Sequence, residues 1–254
     1  MQKECKPIVE SFNIEEEFMY QKPYLFIKGY ATGRGLKLTL KALPLARKIH
    51  NGQYRKGIIS HNGKEYQLPY VLHCLKVCST LISLSLPLSH DELDILLSVA
   101  LLHDVIEDND GYFTKGGKEL TIDYGFPKEV YETIRKLSKY AGSTEYELNE
   151  YFNKIKVDKF AILVKLADRS HNVEDLYNMK SDKLHKYVTE TRNYIYPLCV
   201  YAKANFPELS NGLTILKSKI VSLTELTETI VDIYEEKLKE KDKIIEELSL
   251  NNIK

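Results

Sequence analysis

The run Leu96-Leu-Ser-Val-Ala-Leu-Leu102 constrains this chain more than any other stretch, because it carries no charge and delivers His103-Asp104 directly behind it. Such a run must be buried, and an aspartate drawn into the interior beside a histidine is costly unless something cationic compensates it. A divalent metal is the simplest compensation. His103 and Glu107 are four residues apart, as are Asp104 and Asp108, so a helix would place both pairs on neighbouring strips of one face. Phe160-Ala-Ile-Leu-Val164 repeats the logic: it faces a core and leads to Asp168, with Asn172 one turn on along the same face. Singly, each residue has a duller role. A lone His73 on an apolar helix needs only hydrogen bonds, Asp168-Arg169 reads as an ion pair, and acids after Val105 read as a solvated helix end, although the helix dipole disfavours them there. The joint arrangement points to a metal centre. Imidazole and carboxylate without thiolate suit manganese, iron or zinc rather than calcium or a structural zinc knuckle.

Strand signals are few, and the predicted class is all-α. Residues 1–35 read as an irregular lead-in, with Phe18, Tyr20, Tyr24 and Phe26 packing on the core and Gly29-Tyr-Ala-Thr-Gly-Arg-Gly35 lacking the Gly-Lys-Ser/Thr end of a phosphate loop. A helix is predicted from Leu36, kinked or broken at Pro44. The turn residues between Gly52 and Pro69 predict a small hairpin. Further helices are expected over 70–86, 89–107 with a Ser89/Glu92 capping box, 127–139 with Pro127 in its first turn, 144–153, 157–179 and 183–204. Residues 109–125 form a loop, with a short hairpin as a further option. After Gly212 neither glycine nor proline interrupts the chain, which predicts one or two long terminal helices. The domain layout is a lead-in over 1–35, a catalytic domain over 36–208 and a helical extension over 209–254.

Thirty-six basic residues balance thirty-six acidic ones, so no global field draws the chain to nucleic acid or to an anionic membrane, and neither partner is expected. The most apolar stretch, Val71 to Leu88, is interrupted by His73, Lys76 and serines, and Met1 to Ile14 lacks the apolar core of a secretion signal. Cys5, Cys74, Cys78 and Cys199 form no CxxC pair; they read as reduced and mostly buried, in a cytoplasmic protein.

The order His73…His103-Asp104…Asp168 resembles the HD phosphohydrolase superfamily. The flanking blocks narrow the resemblance to the hydrolase domain of RelA/SpoT-type alarmone enzymes: Ala46-Arg-Lys-Ile-His-Asn-Gly-Gln-Tyr-Arg-Lys56, Pro69-Tyr-Val-Leu-His73, Leu101-Leu-His-Asp-Val-Ile-Glu-Asp108 and Lys165-Leu-Ala-Asp-Arg-Ser-His-Asn172. It covers roughly residues 38–205. The resemblance implies a helical HD bundle that removes the 3′-pyrophosphate of guanosine tetra- or pentaphosphate, with manganese(II) as the usual metal. By matching positions it implies His73, His103, Asp104 and Asp168 as metal ligands and Glu107 and Asp108 as the residues that orient or deprotonate the attacking water. Arg55, Lys56 and Asn172 would contact the nucleotide, and Asp175 stands near it where the family usually carries threonine. Cys74 replaces a usual proline, and residues 58–67 look inserted. His50 reads as a structural histidine closing the helix before Asn51-Gly52, with a near-site contact as the alternative.

Only about fifty residues follow the resemblance. A hydrolase without a synthetase half is therefore expected, and an antitoxin to an alarmone synthetase is compatible with it. The alternatives are an HD enzyme for other nucleotides and a non-catalytic binding protein. Leu213, Leu216, Ile220, Leu223, Ile230, Tyr234, Leu238, Ile245 and Leu248 recur at heptad-like spacing. They read either as a helix packed on its own domain or as a short coiled coil that makes a homodimer.

Overall fold

The computed structural model describes residues 14–61, 64–108, 112–139, 144–174 and 181–251, with side chains outside the description at 14–18, 56–61, 64–66, 181–183 and 246–251. The first correction to the sequence reading lies at the start. Helix α1 runs Ile14–Arg34, where an irregular lead-in was expected. Tyr20, Tyr24, Ile27 and Ala31 fall at three- and four-residue spacings, and all but Tyr24 are buried. Pro23, Gly29 and Gly33 each weaken helix propensity, and burial of that stripe overrides them. Gly35, at φ +70, takes the left-handed conformation that ends the helix.

Helix α2 (Lys37–Ile49) continues through Pro44 without a break, its buried face formed by Ala42, Leu43, Leu45, Ala46 and Ile49. No side chain of its own caps its start. Asp94 does so from α4 (His90–Leu102): its carboxylate accepts from Leu38 N at 2.9 Å and from Thr39 N and Oγ1, both at 2.7 Å. Two helices distant in sequence are thereby fixed end to side, with the orphan N–H groups of α2 satisfied.

Between α2 and α3 (Val71–Ser83) lies the expected hairpin, β1 (Tyr54–His61) antiparallel to β2 (Lys64–Pro69). Tyr54 pairs with Pro69, but from Ile58 onward the pairs are Ile58 with Gln67 through His61 with Lys64, so the register shifts between Tyr54 and Ile58. The hairpin is thus larger than the inserted segment 58–67.

The centre of the molecule is α3, α4 and α8 (Lys159–Asn172) packed on one another. α4 is apolar almost all round, with Leu96, Leu97, Val99, Ala100, Leu101 and Leu102 buried, as a fully interior helix must be. Ser89 and Glu92 form its expected capping box. Residues 112–125 hold the short helix α5 (Glu119–Ile122) rather than a hairpin, and Pro127 caps α6 (Lys128–Leu137) from outside instead of sitting in its first turn. α7 covers Glu145–Ile155. α8 stops at Asn172, well short of residue 179; the predicted stretch 175–179 lies outside the described residues. The stretch expected as one helix over 183–204 is α9 (Ser181–Glu190), a π turn (Thr191–Ile195) and α10 (Tyr196–Asn205). A 3-10 turn then leads to α11, a single helix over Ser210–Asn251. Leu213, Leu216 and Ile220 of α11 belong to the same core as α8 and α10.

Removing the borrowed cap should weaken the whole assembly. Asp94→Ala takes the side-chain acceptor from Leu38 N, Thr39 N and Thr39 Oγ1 and should cost roughly 2–4 kcal/mol in denaturant unfolding. Asp94→Asn, which keeps one carbonyl oxygen, should lose clearly less; equal losses would mean that the carboxylate is not the cap.

Candidate active site

His73 lies in the first turn of α3, His103 directly after α4, and Asp168 in the third turn of α8, all three buried. The packing of these helices brings four donor atoms together. His73 Nε2 is 3.1 Å from Asp168 Oδ1, 3.3 Å from His103 Nε2 and 3.6 Å from Asp104 Oδ2, and His103 Nε2 is 3.0 Å from Asp104 Oδ2. Donors held about 2.1 Å from a common ion stand about 3.0 Å apart at a right angle and about 3.4 Å apart at the tetrahedral angle. These four separations are of the size that a shared divalent cation imposes; His73, His103 and Asp168 form one candidate group for an ion, and Asp104 joins His103 in an adjoining one.

The far side of each imidazole is already committed. His103 Nδ1 contacts the Ala100 carbonyl at 2.8 Å and can only donate to it, which turns Nε2 toward the carboxylates. His73 Nδ1 meets His171 Nδ1 at 2.7 Å. Burial, with the charges of His73, Arg55 and Lys76, pushes His171 down to about 2, so it is neutral and can accept from His73 Nδ1–H. Nε2 of each ring thereby faces the carboxylates.

Charge is balanced tightly. Burial opposes ionisation of every member, yet Asp104 and Asp168 outweigh it at His103 and raise its pKa to about 9. His103 and His73 in turn hold Asp104 below the usual carboxylate range, and Lys165 with His73 does the same for Asp168. Lys165 Nζ donates to Asp168 Oδ2 at 3.1 Å. Cys74 lies near His103 and Asp104, but burial and the surrounding carboxylates push its thiol up, so it remains protonated and is a poor ligand.

Glu107 and Asp108 do not stand on a helix face, as the sequence suggested. α4 ends at Leu102 and residues 103–107 continue as turns, with Asp108 N donating to Asp104 O at 2.9 Å. Three carboxylates at a helix C-terminus oppose its dipole, and the chain turns out instead. Glu107 lines the cleft over the four donors and accepts from Lys139 N at 2.7 Å. Crowding by protein raises it to about 7, offset in part by the Lys139 N–H and aided by the charge of Asp104. Asp108 is not among the residues lining that cleft, and its carbonyl accepts from Gln53 Nε2 at 3.3 Å.

Of the residues expected to contact a nucleotide, Arg55 and Asn172 converge. Arg55 Nη2 donates to Asn172 Oδ1 at 2.9 Å, and Asn172 Nδ2 donates to Asp168 Oδ1 at 2.5 Å, so a cation from β1 is tied to a donor of the centre. The side chain of Lys56 and the whole of Asp175 lie outside the described residues. His50 ends α2, contacts Gln53 Oε1 through Nδ1 at 2.6 Å and stacks on Tyr70. Gly52, at φ +74, permits the tight return that brings Gln53 to accept from Tyr70 N. Tyr70 itself donates to Asp104 Oδ2 at 2.7 Å.

Sequence reasoning passed over Tyr70, Lys139, Lys165 and His171. A signal existed for His171, a histidine one helical turn beyond Asp168 on a helix already read as buried. None existed for Lys139, which reaches the cleft only through the way α6 ends. Arg169 is buried and turned away from the cleft: it pairs with Glu190, donates to Thr191 and stacks over Tyr187, pinning α8 to α9.

No family model matches the chain. A GTP pyrophosphokinase of Myxococcus xanthus is 33% identical over 181 residues, 68% of this chain and 21% of that protein. A guanosine-3′,5′-bis(diphosphate) 3′-pyrophosphohydrolase of Haemophilus influenzae is 32% identical over 61% of this chain and 21% of that protein. The bifunctional (p)ppGpp synthase/hydrolase SpoT of Escherichia coli is 28% identical over 71% of this chain and 24% of its own length. The chain resembles the hydrolase region of RelA/SpoT-type enzymes. It spans less than a third of the length of these curated relatives. Among solved structures, a metazoan SpoT orthologue described as hydrolysing ppGpp superposes with a TM-score of 0.51 at 20% identity, over 75% of this chain and 95% of that one. That likeness establishes the shared fold, an all-α bundle.

The His171 contact has a direct consequence. His171→Leu removes the acceptor that fixes the His73 ring and should lower divalent-metal affinity about 10–100-fold in a chelator-competition titration. His171→Gln, which offers a carbonyl oxygen, should retain most of it; wild-type affinity in the leucine variant would contradict the assignment.

Proposed function

We propose that this chain is a metal-dependent hydrolase that removes pyrophosphate from the 3′ position of guanosine tetra- or pentaphosphate. The observation that carries this reading is the Arg55–Asn172–Asp168 chain of hydrogen bonds, which joins a nucleotide-facing cation to a four-donor centre. Relatives named 3′-pyrophosphohydrolases support it.

In this reading His73, His103, Asp104 and Asp168 hold one divalent ion, with manganese(II) the favoured metal. When bound, the ion would supply positive charge that lowers the pKa of a nearby water and polarises the phosphoryl group. Glu107 takes the proton of that water as its oxygen attacks the phosphorus bonded to O3′; the P–O3′ bond breaks and O3′ leaves as a hydroxyl after gaining a proton. Tyr70 holds the Asp104 carboxylate in orientation. Lys139 and Lys165 line the cleft and face the negative charge of the departing pyrophosphate. Arg55 and Lys56 grip the base and 5′ phosphates, Arg55 with its guanidinium 6.0 Å from the Tyr70 ring centre, and Asn172 contacts the sugar side. Asp108 assists from outside the cleft, and Asp175 adjusts nucleotide preference.

Beyond the nucleotide, the reading includes a second copy of the chain joined through α11, and a synthetase toxin whose product the chain removes. No helix among the described residues is long and apolar enough to cross a membrane, and Cys74, Cys78 and Cys199 are free and buried. Both facts fit a cytoplasmic protein.

The test is a nucleotide panel incubated with manganese-loaded protein, products resolved by chromatography across pH. Pyrophosphate should leave the tetraphosphate while GTP stays intact. Because Glu107 acts as the carboxylate and its pKa is raised to about 7, kcat/KM should climb as pH rises through that value and fall below it. Glu107→Gln should bind metal and nucleotide yet lose about 100-fold or more in kcat, with no such limb. Faster hydrolysis of GTP or deoxynucleotides would move the chain to an HD enzyme of other specificity.

A further inference from the structure

His171 opens onto a second hollow, a groove of about 1010 Å³ between α1, α3 and α11. Its walls are mainly apolar, with Pro23 and Phe26 from α1, Leu72 from α3 and Ile215 from α11. Phe26 and Ile215 are 48% and 56% exposed, so nothing among the described residues covers them. A hollow of this size, apolar with a few convergent polar groups, has the make-up of sites that take small molecules. His171 lines the groove and not the cleft, whereas His73 lines the cleft and not the groove. Their Nδ1–Nδ1 bond of 2.7 Å therefore spans the wall between the two.

The polar groups of the groove say what it takes. Lys22, Lys76 and Lys219 line it against one carboxylate, Glu174, a net of +2 from three minus one. Glu174 is paired with Lys219, so the excess is carried by Lys22 and Lys76. On the same wall Ser79 Oγ is buried without a hydrogen-bond partner. Because His171 accepts through Nδ1, its own proton sits on Nε2, a donor with no acceptor among the described residues. The charges of Arg55 and Lys76 both reach that ring, which favours an anion beside it. We propose that the groove binds a small amphipathic monoanion, an apolar chain or ring bearing one carboxylate, and that its occupancy is felt at His73. The carboxylate lies between Lys76 and the Nε2–H of His171, and the apolar body lies against Phe26, Leu72 and Ile215. Accepting that N–H makes His171 Nδ1 a stronger acceptor, which firms the His73 bond and raises the basicity of His73 Nε2 toward a cation. The site is independent of the hydrolase reading, and only its coupling rests on the metal centre.

The experiment is calorimetric titration of the full chain with decanoate, decan-1-ol and decylammonium, each kept below the concentration at which it forms micelles. One decanoate should bind per chain, about tenfold or more tighter than decylammonium. Phe26→Glu with Ile215→Glu should weaken decanoate about tenfold or more while keeping wild-type helix content by circular dichroism, which separates a lost site from lost folding. Lys22→Gln with Lys76→Gln should weaken decanoate about tenfold and leave decan-1-ol unchanged. In a parallel titration, saturating decanoate should raise manganese(II) affinity about fivefold in the wild type and not in His171→Leu. No binding of any probe, several decanoates per chain, equal affinity for decylammonium, or full decanoate affinity in the two glutamate substitutions would overturn the site. Unchanged manganese affinity in the decanoate-loaded wild type would overturn the coupling.

Discussion

Two carboxylates, Asp104 and Asp168, are held at the end of interior helices, and the rest of the structure answers to that burial. An ionised carboxylate in a protein interior needs opposite charge and hydrogen bonds, or it takes up a proton. Here His73 and His103 supply the first partners, Tyr70 donates to Asp104, and Lys165 and Asn172 donate to Asp168. Every helix that matters contributes to this arrangement. α3, α4 and α8 present the donors, and α2 is locked to α4 by Asp94 so that the Gln53–Arg55 segment arrives beside Asn172.

The centre and the Arg55 segment of β1 are one hydrogen-bonded unit. A displacement of Arg55 is felt at Asn172 and then at Asp168, and a displacement of His171 is felt at His73. The hairpin β1–β2 lengthens the connection before α3 without detaching Arg55 from the site, because the register shift falls after Tyr54 and Arg55 keeps its bond to Asn172. The buried Arg169 performs the complementary task on the other side of α8, holding it against α9 through Glu190 and Thr191.

Most of the centre was legible because its residues are local: His103-Asp104 and Asp168…Asn172 announce themselves by following apolar runs. The helices over 71–83, 90–102, 128–137 and 159–172 were legible for the same reason, as was the hairpin from its turn residues. What escaped depends on contacts distant in sequence. α1 was missed because Pro23 and two glycines mask a stripe that only tertiary burial makes decisive. The end of α4 at Leu102 was missed because Glu107 and Asp108 were read in helical register with His103 and Asp104 rather than as a reason for the helix to stop. Lys139 carries no local sign at all; its N–H reaches Glu107 through the packing of α6 against α4.

The central claim is that the four donors hold one divalent cation in place of the proton that otherwise sits on His103. Titrating metal-stripped protein with manganese(II), with free ion followed by electron paramagnetic resonance and heat by calorimetry in two buffers, tests it directly. The expected result is one ion per chain and release of roughly one proton at pH 7, since His103 is raised to about 9, with binding abolished in Asp168→Asn. Undiminished stoichiometry in that variant, or no retention by the wild type, would contradict the account.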